Sequence, residues 1–315
     1  MAEEIKKIAT RESYGAALVE LGHQHDNLVV LDADLAEATK TLLFAKQFPA
    51  RFFDCGIAEG NMMSVAAGLS TCGLVPFAST FAMFAAGRAF EQVRNSIGYP
   101  QLNVKIGATH GGISVGEDGA SHQCNEDFAL MRSIPGMTVI CPADDVEARA
   151  AVKAAYAHQG PVYLRFGRLA LPVFHKQEGY QFTIGKGETL QDGTDLTIIA
   201  TGLMAYEALK ASEALAAEGI SARVINMPTI KPLDTELVLK AAEETGRILT
   251  AEEHSVIGGL GEAVCATLAE NTPVPVLRVG INDEWGHSGP AAQLLKDFGL
   301  SAENLVVKAK ELLKK

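Results

Sequence analysis

Short runs of apolar and β-branched residues alternate along the chain with longer segments whose apolar positions recur every three or four residues. Leu28–Asp32 (LVVLD) is typical of the first kind, and a short continuous apolar run predicts a parallel strand buried on both faces. Residues 11–23 are typical of the second kind, because their apolar side chains fall on one side of a helix. Regular alternation of the two kinds predicts an α/β fold.

The alternation covers about the first 170 residues, stops, and then resumes. The first part predicts strands at 28–32, 74–77, 104–108, 137–141 and 162–166, and helices at 11–23, 57–72, 124–132 and 145–157. A further helix is predicted from Ser79 or Thr80, as N-cap, to about residue 97. The break at 167–195 is rich in glycine and polar residues, which indicates a linker with some extended structure. After it, strands are predicted at 196–201, 222–226, 247–251 and 276–279, and helices at 204–218, 234–244, 259–270 and beyond.

The bulk properties limit the kind of protein. A chain of 315 residues that is 48% hydrophobic is long enough for two domains. Its net charge of −11 argues against general nucleic-acid binding. The N-terminal residues are polar without an apolar signal core, and no run of about 18 apolar residues suggests a membrane span. Five cysteines without a C-x-x-C pair fit reduced thiols, so we expect a cytoplasmic protein.

One carboxylate has unusual neighbours. Glu59 falls in the first turn of the predicted helix at 57–72, where the helix dipole favours an acid. Ile57, Met62 and Met63 lie near it in sequence, and a carboxylate among apolar residues is costly to bury unless it has a partner. Glu59 is either a surface acid at a helix start or the partner of a nitrogen heterocycle, with which it can share a proton.

Two phenylalanines follow Glu59. Phe81 and Phe84 lie three positions apart, so they share a face of the predicted helix. They are either a core pair or a platform on which a flat ring stacks. Together with Glu59, the second interpretation predicts a pocket in which the acid binds a ring edge and the aromatic side chains bind a ring face.

Residues 109–123, THGGISVGEDGASHQ, are predicted to form a long glycine-rich loop. The loop carries His110, Glu117, Asp118 and His122. A spacing of twelve positions between the two histidines is poor for zinc, and we predict no metal site in this chain. The polar side chains are either solvated or recognise the hydroxyl and phosphate groups of a substrate, and we favour recognition.

Taken together, these stretches resemble the C-terminal half of transketolase, and the similarity covers nearly the whole chain. Each stretch alone is a weak signal, but their shared order and spacing are specific. The segments that carry the resemblance are ATRESYGAAL, VVLDADL, CGIAEGNMMSVAAGLS, PFASTFAMF, THGGISVGEDGASHQ, LRFGR and EEHSVIGGLGEAV.

The resemblance implies a thiamine-diphosphate enzyme with two doubly wound α/β domains. Residues 1–170 would form the pyrimidine-binding domain, 171–190 a linker and 191–315 the transketolase C-terminal domain. Glu59 matches the glutamate that hydrogen-bonds the aminopyrimidine and favours its imino tautomer, so that the ring amine can deprotonate the thiazolium to the reactive ylid. Phe84 matches the aromatic residue that stacks on the pyrimidine, Phe81 its neighbour, and Asp34 an acid near the thiazolium.

The resemblance also implies substrate contacts. Arg11, His110 and Arg168 match residues that grip the sugar phosphate, for which the planar arginine fork is well suited. His122 matches a histidine that contacts the ketose near its reacting carbons, and we place it among the catalytic residues. Asp118 matches the acid that recognises the adjacent hydroxyl.

The sequence departs from the family at three points. Ala38 stands where the family often has a phosphate-binding serine, with Thr39 as its expected replacement, and Gly87 stands where a tyrosine is frequent. The chain also contains no G-D-G motif followed some 25–30 residues later by asparagine, which holds the diphosphate through Mg²⁺ or Ca²⁺. We therefore expect that half of the site on a second polypeptide, in an α2β2 assembly with the cofactor at the interface between unlike chains.

The expected function is that of the C-terminal subunit of a split transketolase, transferring a two-carbon ketol unit between ketose and aldose phosphates. The sugar pair stays open between the pentose phosphate pathway and the breakdown of a rarer pentose. Two enzyme alternatives are a 1-deoxyxylulose-5-phosphate synthase, whose substrate loop resembles D-R-A-G where this chain has Thr109–Gly112, and a 2-oxoacid dehydrogenase beta subunit. A third alternative is a non-catalytic protein that keeps this fold for a regulatory or scaffolding role. Glu252, Glu253 and His254 are expected to be structural rather than a regulatory site.

Overall fold

The computed structural model describes residues 6–315, and every structural statement below refers to that part of the chain. The strands are β1 (Lys7–Ala9), β2 (Leu28–Asp32), β3 (Phe52–Asp54), β4 (Val75–Phe81), β5 (Lys105–Thr109), β6 (Thr138–Ile140), β7 (Val162–Arg165), β8 (Ala170–Pro172), β9 (Glu188–Gln191), β10 (Leu196–Ala200), β11 (Ala222–Asn226), β12 (Thr229–Lys231), β13 (Ile248–Ser255) and β14 (Val276–Ile281).

Helices connect most of the parallel strands. The α-helices are α1 (Thr10–Gln24), α2 (Ala36–Thr39), α3 (Leu42–Gln47), α4 (Glu59–Thr71), α5 (Phe90–Gln92), α6 (Asp127–Arg132), α7 (Asp145–Ala157), α8 (Met204–Ala216), α9 (Thr235–Thr245), α10 (Leu260–Glu270), α11 (Ala291–Asp297) and α12 (Ala302–Leu312). Two π-helical turns, Phe84–Arg88 and Val93–Gly98, flank α5, and short 3₁₀ turns occur at Pro49–Arg51 and Ile113–Val115. None of these helices is long and apolar enough to cross a bilayer.

Two larger sheets organise the described residues. The first has the order β12-β6-β7-β5-β4-β2-β3, parallel except for β12 against β6. The second has the order β14-β13-β10-β11-β9, parallel except for β9 against β11. β1 and β8 form a small antiparallel pair. The predicted α/β fold with two doubly wound units is confirmed.

Both faces of the first sheet are buried, which explains its continuous apolar strands. Along β2, Leu28 and Val30 pack into one apolar core, whereas Val29 and Leu31 pack into another. Helices α1, α3 and α7 cover the first of these faces, and α4 with the helical run 84–98 covers the second. The carboxyl ends of these strands are therefore held in place by packing on both faces of the sheet.

The units are not fully separate along the chain. β12 comes after residue 195, yet it pairs with β6 at the edge of the first sheet. β8 and β9 lie in the predicted linker, as its expected extended structure. The division at 1–170, 171–190 and 191–315 stays a prediction, and residues 1–5 of it lie outside the described part.

The predicted helix start at Ser79 or Thr80 is wrong. Both residues lie within β4, which extends to Phe81, and both are fully buried. Ser79 donates to or accepts from the Tyr14 hydroxyl at 2.6 Å instead of capping a helix. The segment pairs with β2 and β5 on its two sides, and these ladder hydrogen bonds outweigh a local capping signal.

Candidate active site

The predicted site residues follow the carboxyl ends of neighbouring parallel strands. Asp34 comes after β2, Phe81 ends β4, His110 comes after β5 and Arg168 comes after β7. Glu59 begins α4, shortly after β3. Because parallel strands end at one edge of a sheet, this topology brings distant segments together where open α/β sheets bind their ligands.

Glu59 is a buried carboxylate with an unsatisfied oxygen. It is the first residue of α4 and is 2% exposed, with Met62 and Met63 fully buried one turn further on. Its Oε2 finds no hydrogen-bond donor among the described residues. The nearest cation is Arg88, 3.9 Å away and itself largely exposed. A buried acceptor of this kind calls for a donor from outside the chain.

Phe81 and Phe84 stack on each other with ring centroids 5.8 Å apart and planes at 13°. They do not share a helix face as predicted, because Phe81 ends a strand and Phe84 opens a π-helical turn. Phe81 is buried, whereas Phe84 is only half-buried, with the Arg88 guanidinium over its ring 5.6 Å from the centroid. π-helical turns are often found at functional sites.

The two loop histidines join these rings. His110 stacks on Phe81 with centroids 3.8 Å apart, and His122 meets the Phe84 ring edge-on at 5.4 Å. We call Phe81, Phe84, His110 and His122 the aromatic cluster. Sequence reasoning proposed each of these residues, and the structure brings all of them together.

His110 orients Arg11. Its Nε2 lies 3.2 Å from an Arg11 nitrogen, and its Nδ1 lies 2.9 Å from the Thr109 hydroxyl. Because a guanidinium can only donate, Nε2 is the acceptor and Nδ1 carries the proton. Burial, aided by the charge of Arg11, lowers the pKa of His110 to about 3, so the ring is neutral. Arg11 also donates to the Ala38 carbonyl at 3.0 Å.

Several cations converge near His110. Arg11, Arg168 and Lys40 all act on its pKa through their charge. Arg168 is partly exposed and pairs with Glu117 at 3.1 Å. Lys40 was not proposed from the sequence, because only its position after α2 brings it to the site. The three cations form a region suited to an anionic group.

Thr39 does not replace the missing serine near Ala38. Its hydroxyl is fully buried and donates to Oδ2 of Asp32 at 2.7 Å. Burial raises the pKa of Asp32 to about 6, and bonds from Thr39 and Thr41 act against that rise. Thr39 therefore supports a buried carboxylate, and the expectation that it contacts a phosphate is wrong.

The two remaining predicted acids lie at the margin. Asp34 is exposed, has a positive φ of 62°, and donates its backbone N–H to Asp54 at 3.2 Å. Asp118 is exposed in a turn of the loop. Neither carboxylate forms a hydrogen bond or ion pair with the aromatic cluster within the described residues. Nor does that part of the chain hold three or more His, Cys, Asp or Glu side chains arranged for a metal.

Comparison with known proteins supplies the family. The model described as "Transketolase, pyrimidine binding domain" matches residues 6–173, and that described as "Transketolase, C-terminal domain" matches residues 185–305. The chain belongs to the transketolase family. The family depends on thiamine diphosphate, whose aminopyrimidine suits the unsatisfied oxygen of Glu59 and the half-exposed ring of Phe84.

Three relatives match this transketolase chain over nearly their whole length. The putative transketolase C-terminal section of Methanocaldococcus jannaschii is 51% identical over 97% of this chain and 96% of its own. A 6-deoxy-6-sulfo-D-fructose transketolase subunit of a Clostridium species is 45% identical, with 96% and 94% covered. An apulose-4-phosphate transketolase subunit of Phocaeicola vulgatus is 43% identical, with 98% of each covered.

A solved structure and a longer relative show how the length of this chain compares with that of split and single-chain transketolases. A split gene transketolase, described as an inactive beta4 tetramer, superposes with a TM-score of 0.91 at 55% identity, covering 98% of this chain and 99% of that one. Mouse transketolase is 41% identical over 98% of this chain but only 50% of its own length. This chain thus corresponds to about half of a single-chain transketolase.

Proposed function

We propose that this chain is the C-terminal subunit of a split transketolase, which transfers a two-carbon ketol unit between ketose and aldose phosphates with a partner chain. The observation that most supports this proposal is the buried Glu59 carboxylate. Its unsatisfied oxygen lies at the edge of a sheet beside a half-exposed aromatic ring. The three relatives of similar length described above carry transketolase names, which favours this activity over the two enzyme alternatives.

The ring half of the cofactor site is built from this chain. Thiamine diphosphate, when bound, supplies the carbanion chemistry. Glu59 would accept a hydrogen bond from the pyrimidine edge and share a proton with a ring nitrogen, which a buried carboxylate does well. Phe84 would cover the ring face, with Phe81 behind it. Asp34 would lie nearer the thiazolium, from its place after β2.

The cationic region would bind the anionic end of the sugar. Arg11 is held from two sides, by the Ala38 carbonyl and His110, so its remaining N–H groups are pre-oriented. The planar guanidinium of Arg168 would provide a second set of hydrogen-bond donors for the same anionic group. The relatives include subunits named for a phosphorylated sugar and a sulfonated one, and both carry a terminal anion. We propose a sugar phosphate, with the sugar itself to be found by experiment.

His122 and Asp118 would act on the sugar hydroxyl groups. His122 lies edge-on to Phe84 and only half-buried, with Nδ1 3.0 Å from the Ser121 hydroxyl. That bond leaves Nε2 available to exchange a proton with an oxygen near the reacting carbons. Asp118 lies on the same loop and is solvent-accessible, as a carboxylate that binds a substrate hydroxyl must be.

A partner subunit would complete the site. The chain lacks the G-D-G motif, and exposed apolar side chains lie near Glu59 in sequence: Phe53 at 41%, Ile57 at 74% and Val65 at 39% exposure. Exposed apolar residues beside a half-built site favour coverage by another chain. We propose an N-terminal transketolase subunit that holds the diphosphate through Mg²⁺ or Ca²⁺, in an α2β2 assembly in the cytoplasm.

Reconstitution tests this proposal. The chain is purified alone and with a chain from the same genome that carries G-D-G and the following asparagine. Calorimetry with thiamine diphosphate and Mg²⁺ should show weak or no binding to the lone chain and clear binding to the pair. The pair should then turn over members of a panel of ketose phosphates with an aldose phosphate acceptor. Tight Mg²⁺-dependent binding by the lone chain would contradict the shared site.

A further inference from the structure

The glycine-rich loop at residues 109–123 follows strand β5 of the first sheet. It is held by a side chain from strand β13 of the second sheet. Glu253 lies on β13, and its Oε1 accepts the backbone N–H of Ser114 at 2.7 Å. Ser114 lies in the 3₁₀ turn Ile113–Val115, in the middle of the loop. Glu253 is 5% exposed, so this contact is shielded from water.

A buried arginine connects Glu253 to the segment that directly follows the loop. Arg165 pairs with Asp127 at 3.1 Å, donates to the Glu253 carbonyl at 2.9 Å and reaches the Cys124 carbonyl at 3.4 Å. All of these groups are buried. Breaking a buried charged network is strongly unfavourable, because it leaves an unpaired charge in a low-dielectric interior.

The loop glycines are required by this packing. A Cβ at Gly111 would overlap the Arg165 side chain, and a Cβ at Gly112 would overlap the Glu253 carboxyl group. Gly112 also has a positive φ of 84°, which disfavours any other residue. Glycine is therefore needed at position 112 of the His110-Gly111-Gly112 segment because the Glu253 carboxyl group occupies the space that a side chain would fill.

A second contact holds the end of the loop. Gln123 is 3% exposed, and its Nε2 donates to the His287 carbonyl at 2.9 Å, while also reaching the Ile113 and Gly116 carbonyls. The loop is therefore attached to the C-terminal unit at its middle and at its end. His110 and His122, which belong to the aromatic cluster, are the residues whose positions depend on these attachments.

We propose that Glu253 is a positioning residue through which the C-terminal unit fixes the loop that carries His110 and His122. The kinetic consequence rests on the proposed transketolase function, but the structural consequence does not. Removing the acceptor should release the loop, while the ring half of the cofactor site, Glu59 and Phe84, should keep its place because neither residue touches Glu253.

Hydrogen exchange of the lone chain tests the structural consequence without any activity. In Glu253→Met, backbone amides of residues 109–123 should exchange about 10- to 100-fold faster, the effect of losing one hydrogen bond to a charged group. Glu253→Gln keeps the size and an acceptor oxygen and should exchange at an intermediate rate. If Glu253→Met does not fold, the Glu253→Gln comparison with wild type decides.

Glu252 provides a matched control. It is equally buried and accepts two backbone N–H groups, from Leu260 and Gly261, but both belong to the start of α10. Glu252→Gln should leave exchange in 109–123 at the wild-type rate. Unchanged loop exchange in the Glu253 variants, or an equal increase in Glu252→Gln, would overturn the positioning role.

The reconstituted pair gives the second measurement. Glu253→Gln should raise KM for the ketose phosphate several-fold with little change in thiamine diphosphate affinity, and Glu252→Gln should not. A merely structural role would lower the amount of folded enzyme without changing KM, and that outcome overturns the proposal. If no pair turns over any sugar phosphate, the proposed function fails, whereas the exchange data still decide on the positioning role.

Discussion

The imidazole of His110 lies nearly flat on the ring of Phe81, with centroids 3.8 Å apart and planes at 27°. Phe81 in turn stacks on Phe84, and Nε2 at the edge of the His110 ring accepts a hydrogen bond from Arg11. One continuous row therefore connects the cationic region to the surface where a flat ring would stack. A change at His110 should be felt at the cationic end first.

His110→Ala should raise KM for a phosphorylated sugar by about tenfold, because Arg11 loses the acceptor that orients it, and a hydrogen bond to a charged group is worth roughly 1.5–3 kcal/mol. KM for hydroxypyruvate, which has no phosphate, should change much less. Steady-state kinetics of the reconstituted pair would measure both, with His23→Ala at the exposed end of α1 as a control. Equal effects on the two donors would remove the phosphate role.

The neutrality of His110 has a consequence for acid stability. Burial, with the charges of Arg11, Arg168, His122 and Lys40, lowers its pKa from 6.5 to about 3. Between these values the unfolded chain binds one more proton than the folded chain, so stability falls as pH falls, by up to about 1.4 kcal/mol per pH unit.

His110→Gln should lack this part of the slope. Denaturant unfolding of the lone chain at several pH values between 6.5 and 4 should show a free energy of unfolding that falls less steeply for the variant than for wild type. Parallel slopes for the two proteins would show that His110 takes up its proton over the same pH range in the folded and the unfolded chain.

Phe84→Ala should weaken thiamine diphosphate binding to the pair by about tenfold or more, because stacking of a base on an aromatic side chain is worth roughly 1–3 kcal/mol. Calorimetry measures the affinity. Tyr99→Ala provides a control, since Tyr99 follows the same helical run but is 88% exposed. An affinity unchanged in Phe84→Ala would make Phe84 a packing residue only.

The sequence predicted what local physics determines. Residues 28–31 could be placed in a parallel sheet because burial on both faces favours a continuous apolar run, and Glu59 could be chosen because its neighbours make a carboxylate costly. The segment PFASTF was misjudged since Ser79 and Thr80 imitate a helix cap, while the partners that make it a strand are distant. Nothing local indicates that Glu253 meets Ser114, which lies 139 positions away.

Thr39→Val should destabilise the lone chain by about 1–3 kcal/mol, because it removes one of the two hydroxyl groups, those of Thr39 and Thr41, that donate to Oδ2 of the buried Asp32 carboxylate. KM for the sugar phosphate should stay at the wild-type value, since the Thr39 hydroxyl points into the core. Thermal unfolding and kinetics of the pair measure the two effects. Thr71→Val, on the exposed end of α4, serves as control, and a rise in KM without loss of stability would restore Thr39 to the phosphate site.

Glu59→Gln should lower the turnover rate of the assembled pair by about 100-fold or more, while leaving the subunits associated. The amide keeps the size of the side chain and a hydrogen-bonding oxygen, but it cannot hold or accept a proton, and positioned proton transfer contributes roughly 100- to 10,000-fold. Gel filtration measures association and steady-state assays measure rate. Glu91→Gln, an exposed acid in the neighbouring helix α5, should behave as wild type in both. Near-wild-type turnover of Glu59→Gln would take this carboxylate out of the chemistry and leave the unsatisfied oxygen at the start of α4 unexplained.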